Sequence, residues 1–152
     1  MPEEIMHIIC AVWGGPQSRS TVTRAIDLAV KYEARLTFLD VADAEFQAQA
    51  AIGSPLSVVY RELVQMAQFS MMILVDRAER RGVKEAGFLI REGNVRKQLV
   101  QFASETEADL WVMGATIRDS VRSILKPQEL EPFVAELEEV SKLRVVLVQP
   151  EE

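Results

Sequence analysis

One cysteine, Cys10, and one histidine, His7, stand in a chain of 152 residues. A lone cysteine can form no disulfide within the chain and no thiolate metal cluster, so a reducing cytoplasm is the expected compartment. Cys10 lies inside an apolar run and reads as a buried structural thiol, not a reactive one. His7 has no second imidazole with which to complete a metal site; no metal is expected, and His7 is assigned no chemistry. Basic residues are outnumbered, 17 to 23, leaving a net charge of −6 and no clustered basic face. That excludes a general nucleic-acid binder and gives no support for binding at a membrane surface. The most apolar run, Phe69 to Val75, falls far short of the roughly 20 residues that span a bilayer. The opening MPEEIMH carries two acids where a leader would be basic, so no signal peptide is expected. No repeat or low-complexity segment interrupts the chain.

What is present is apolar and alternating. At 49% hydrophobic and 26% charged, the composition is that of a soluble globular protein, and the length suits one domain over residues 1–152. Ile5 to Val12 is nearly continuous in apolar residues and ends at Trp13-Gly14-Gly15-Pro16, the pattern of a strand buried on both faces and cut off by a turn. Ser18 and Ser20 offer caps for a helix to Tyr32, with Val22, Ala25, Ile26 and Ala29 on one face. Arg35 to Val41 follows as a strand with Leu36, Phe38 and Asp40 on one side and Thr37, Leu39 and Val41 on the other. Two roles are open to Asp40, a ligand contact or a cap on the following turn. Residues 42–53 show no strong periodicity. Ser54-Pro55 then caps a long helix that stops at Gly82; its expected core stripe is Val59, Leu63, Met66, Ala67 and Leu74, with apolar surface left over around Met71 and Met72.

A short strand follows within Lys84 to Arg91, and Asn94 caps a helix with Val95, Leu99, Phe102 and Ala103 inward. Asp109 to Met113 is the fourth strand. After its loop a helix containing Phe133, Val134, Leu137 and Val140 leads to the fifth, Arg144 to Gln149. Strand and helix alternate throughout, which predicts an α/β fold, a doubly wound parallel sheet with right-handed crossovers. A ligand crevice in such a sheet opens beyond the carboxyl ends of strands at the switch point, here between the first and fourth strands: Trp13 to Pro16 on one side, Gly114 to Arg118 on the other.

The phrases IICAV with the following Gly14, RLTFLDV, REGNVRKQLVQFA, EADLWVMG and RVVLVQP resemble the universal stress protein family over nearly the whole chain. The resemblance implies five parallel strands in the order 3-2-1-4-5, the adenine nucleotide alpha hydrolase-like architecture, and dimers through the last strand. It also implies one of two branches, of which one binds ATP. The ATP branch has a glycine after the fourth strand, a second three positions on, and a Gly-Ser or Gly-Thr pair nine residues later. Gly114 matches the first, but Ile117 replaces the second, and Pro127-Gln128 replace the pair. Ile117 resists the positive φ that glycine allows, and Pro127 has no N–H to donate to a phosphate. Trp13 stands where that branch carries an aspartate; it can stack on a purine or fill the pocket, and filling is the simpler reading. Val41 matches the apolar position against the base. The residues expected to line the crevice are therefore Trp13, Val41, Met113, Gly114, Arg118 and Gln128.

Arg118, Arg122 and Lys126, with Ser120 and Ser123 between them, keep charge near the crevice, although Glu129 and Glu131 follow closely. Trp13 to Ser18 also looks like the phosphate loop of the PP-loop ATP pyrophosphatases, but Trp13 and Gln17 replace its first serine and its aspartate. No acid, base and nucleophile cluster appears elsewhere, so no catalytic residue is expected. The leading expectation is a non-enzymatic stress or regulatory protein without a cofactor, in which ATP is disfavoured by Ile117 and Pro127. It would act through an unidentified protein partner and as a homodimer. An ATP or AMP sensor using altered loop side chains is the alternative, and an ATP-using enzyme the remote one. Self-association is expected at Val145, Val146, Leu147 and Val148, four apolar residues in an edge strand that nothing in the sequence blunts.

Overall fold

The apolar runs and amphipathic segments resolve into five strands and four helices in the computed structural model, which describes residues 4–12, 18–43, 55–114 and 130–148. In chain order these are β1 (His7–Ala11), α1 (Ser18–Tyr32), β2 (Arg35–Asp43), α2 (Pro55–Arg80), β3 (Ala86–Gly93), α3 (Val95–Glu105), β4 (Leu110–Gly114), α4 (Leu130–Val140) and β5 (Arg144–Val148). All strand pairs are parallel and the sheet order is β3-β2-β1-β4-β5, as expected.

β1 is continuous in apolar residues because it is the central strand and has helices on both sides. The two-residue period of a strand sends Ile8 and Cys10 to one face, where they meet Leu36, Phe38, Leu110 and Val112 beneath α1 and α2. Ile9 and Ala11 go to the other, with Leu39, Trp111 and Met113 beneath α3 and α4. Cys10 is fully enclosed, and burial pushes its thiol pKa up to about 12, so the structural reading of the sequence holds. Asn94 caps α3 as expected, its Oδ1 accepting the Lys97 amide at 3.0 Å.

α2 corrects the sequence reading. Met71 and Ala78 are its buried residues, with Leu74 and Val75 packed beside them, whereas Val59, Leu63 and Met66 lie on the exposed side. The helix has apolar residues nearly all round, so helical periodicity admitted two faces; the sheet took the one through Met71, 3% exposed, and left Met72 outside. Ser57–Arg80 is by length and composition apolar enough to cross a membrane, yet its inner stripe packs on the sheet.

Both helices on this face end in the same backbone device. At the end of α2 the Val83 amide donates to Ala78 O at 3.0 Å and the Gly82 amide to Glu79 O at 3.1 Å, with Gly82 at φ +110°. At the end of α1 the Ala34 amide donates to Ala29 O at 2.9 Å, with Glu33 at φ 54°. Glycine carries this left-handed turn without a Cβ conflict, and an L side chain there costs about 1 kcal/mol or more. Gly82→Ala is therefore expected to lower the urea unfolding free energy by about 1 kcal/mol, with an unchanged denaturant slope.

Candidate functional site

The carboxyl ends of β1, β2 and β4 lie side by side because the strands are parallel and in register. Cys10 is level with Phe38 on one side and with Val112 on the other, so Ala11 and Val12 run out between Leu39 and Val41 of β2 and Met113 and Gly114 of β4. The Val12 amide still donates to Leu39 O at 2.9 Å, which holds the chain in line up to the turn. β1 is the strand at which the winding reverses, its two neighbours being β2 and β4, and this is where a doubly wound sheet opens a crevice.

Of the residues singled out by sequence, the structure brings Val41, Met113 and Gly114 to this end. Val41 and Met113 share the α3/α4 face; Met113 is fully buried and Val41 packs against the same cluster. Met113 is wall, whereas Val41 keeps part of its surface exposed. Trp13, Arg118 and Gln128 lie outside the described residues, as do Ile117 and Pro127. Asp40 ends on the opposite face of β2 from Val41. Burial raises its pKa, opposed in part by a hydrogen bond from the Val41 amide, so the contact it makes is a local one with the next residue.

Sequence reasoning missed one cation at this end, Arg96 on the first turn of α3. Its guanidinium donates to Glu136 of α4 at 3.1 Å and lies 5.9 Å from the Phe133 ring centre. The pair ties α3 to α4, and its charge is already opposed. Periodicity carried no signal for it, because the partner is 40 residues away. Arg91 at the end of β3 is engaged likewise, donating to Gln98 at 2.9 Å and to Glu105 at 3.1 Å.

The amino end of the sheet carries a polar cluster and a groove. The groove, about 640 Å³, is lined among others by Thr106, Glu107, Asp109, Glu139, Ser141 and Lys142. Its position at the carboxyl ends of α3 and α4, together with three acids, makes it hostile to an anionic ligand. The Asp109 carboxylate accepts the Met6 and His7 amides at 2.8 and 3.0 Å and so anchors the start of β1 to β4. His7 Nδ1 accepts from Arg35 Nη2 at 3.1 Å, which leaves Nε2–H to donate to Thr37 Oγ1 at 2.8 Å. The ring is thereby held neutral. Among the described residues no three His, Cys, Asp or Glu side chains come together in a way that could hold a metal ion.

The family model for universal stress proteins matches residues 4–131. This chain belongs to the universal stress protein family. UspA from Lactobacillus plantarum has the same fold at 20% identity, with a TM-score of 0.74 and 96% of this chain and 99% of that one covered. A universal stress protein in complex with cAMP matches at 21% identity and TM-score 0.59, covering 96% and 98% of the two chains. One from Archaeoglobus fulgidus in complex with dAMP matches at 14% identity and TM-score 0.59, over 96% and 99%. Comparison with curated proteins gives no match.

The neutral His7 gives this family member a pH signature at the end of the sheet remote from the crevice. Burial first and Arg35 second lower its pKa below 6.5, against smaller opposing contributions from Asp109 and Glu85. As pH falls below 6.5 the unfolded chain takes up the proton before the folded one does. The His7 contribution to stability is thus complete above that pH and declines as pH drops through the lower, folded value. Urea titrations at pH 7.5 and 5.5 are expected to show a smaller loss of stability on acidification in His7→Gln than in the parent.

Proposed function

We propose that this universal stress protein is a non-enzymatic regulatory protein that works as a homodimer and carries a vestigial nucleotide crevice. The observation that supports it most is the replacement of the phosphate-facing glycine positions by Ile117 and Pro127. A backbone cradle needs N–H groups that can approach the phosphate closely; Ile117 is poorly suited to the required turn and Pro127 lacks the donor. The engaged state of Arg96, paired with Glu136, points the same way, since that guanidinium is already opposed by a carboxylate. Calorimetric titration with Mg-ATP is the test, and no saturable binding tighter than about 10 μM, equivalent to roughly 7 kcal/mol, is expected. A second reading, a nucleotide sensor using altered side chains, is favoured by the relatives in complex with cAMP and dAMP. Saturable binding in that titration, lost on Arg118→Ala, would favour the sensor.

The homodimer reading starts from β5, whose only strand partner among the described residues is β4. The Arg144 amide donates to Asp109 O at 3.1 Å, so alternation along the strand turns the Val145 and Leu147 amides outward. The edge is more protected than the sequence suggested, because Glu138 of α4 accepts the Val145 amide at 3.4 Å. Leu147, 38% exposed, sits at an uncovered position with Val145, Val146 and Val148 half-buried about it. Antiparallel pairing of two β5 strands about a two-fold axis would satisfy the edge and close the assembly. Leu147→Pro removes an outward donor and leaves the ladder to β4 intact; it is expected to halve the particle mass in light scattering, with an unchanged circular dichroism spectrum.

A further inference from the structure

We propose that the outward face of α2 is a second contact between copies of this chain, an antiparallel helix pair whose two-fold axis passes between Phe69 and Ser70. The inner face of α2 is committed to the sheet through Met71 and Ala78, yet the helix carries a second apolar stripe at helical spacing on its outside: Val59, Leu63, Met66, Phe69 and Ile73. Met66, Phe69 and Ile73 are 63%, 68% and 61% exposed, values that a monomer has no folding reason to give its largest apolar side chains. Five such side chains offer on the order of 500 Å² per copy, which puts a pair near the ~1,000 Å² that a specific interface must clear.

Charge chooses the occupant and the direction. Glu62 lies in the first part of the stripe, between Val59 and Leu63, and Arg77 lies just beyond its far end, both exposed. Two such helices running antiparallel set each Glu62 against the other copy's Arg77, twice by symmetry; running parallel they would oppose Glu62 to Glu62 and Arg77 to Arg77. The midpoint of that pairing lies between Phe69 and Ser70. It brings Met66 opposite Ile73 and places the bulky Phe69 over the small Ser70 at the axis, so one register satisfies both charge and shape. A lipid surface fits less well. α2 carries three arginines, Arg61, Arg77 and Arg80, against three acids, Glu62, Asp76 and Glu79, and Arg80 is already paired with Asp76 at 2.8 Å. A helix lying on an anionic bilayer needs a basic excess, and the chain as a whole is at −6.

β5 and α2 lie at opposite edges of the sheet, so the two contacts are independent and together link pairs into larger assemblies. Sedimentation and light scattering over a wide concentration range are therefore to be run on the parent, Phe69→Glu, Leu147→Pro and the double variant. The expected results are a drop in limiting mass to that of the β5 pair for Phe69→Glu, a Leu147→Pro protein that still dimerises, and a double variant that is monomeric. Phe69→Glu with the mass of the parent, or Leu147→Pro that is monomeric at every concentration, would overturn the α2 contact. Should Leu147→Pro leave the mass unchanged, the β5 reading fails while the Phe69→Glu arm still decides this one. Oxidation of Ser70→Cys, with Cys10 enclosed, is expected to cross-link two copies, and Val59→Cys, far from the axis, is expected not to. Efficient cross-linking at Val59→Cys would overturn the antiparallel register. Flotation of the parent with anionic phospholipid vesicles, abolished by Phe69→Glu, would identify a lipid surface as the occupant instead.

Discussion

Two parallel hydrogen-bond ladders on β1 govern the rest of this molecule. A central strand with neighbours on both sides has no backbone group to spare and both faces to bury, so every crossover must place a helix on one face or the other. Ile8 and Cys10 accordingly call for α1 and α2, and Ile9 and Ala11 for α3 and α4. The start of this strand is pinned by one side chain, because Asp109 accepts the Met6 and His7 amides and its own amide returns to His7 O at 2.8 Å. A carboxylate taking two backbone donors is a strong anchor, and it sets the level at which β1 and β4 come into register.

From that register follows the geometry of the crevice. Cys10 level with Val112 carries the ends of β1 and β4 out together, and the reversal of winding leaves no crossover helix over the gap between them. The fold here keeps this gap at the switch point of the sheet. Chemistry is a separate matter, since a parallel sheet supplies a position while the loops supply the donors. Met113 is packed as wall with Val41 partly buried beside it, and Arg96, which tertiary structure brings to this end, is held by Glu136. The outer surfaces of β5 and α2 carry exposed apolar side chains, among them Leu147, Met66, Phe69 and Ile73.

Much of the architecture was legible in the chain because buried parallel strands and amphipathic helices write their periods directly into sequence. Asn94 and Gly82 could be placed as caps because each does a local job within a few residues of itself. α2 was not legible in the same way. Its apolar residues cover most of the helix surface, so Val59, Leu63 and Met66 made as regular a stripe as the one through Met71 and Ala78 that was used. The protection of the Val145 amide by Glu138 was equally hidden, since it depends on how α4 leans over β5.

The sequence by itself determined the alternation of strand and helix, the burial of β1 on both faces, the family, and the presence of Ile117 and Pro127 after β4. Each of these rests on local pattern or on residue chemistry that no packing can alter, as with the missing amide hydrogen of a proline. Only the tertiary structure decided which face of α2 meets the sheet, which β5 amides point outward, and that Arg96 is engaged with Glu136. Those outcomes turn on the relative position of elements far apart in the chain, where the difference between alternatives lies in contacts that no single segment contains.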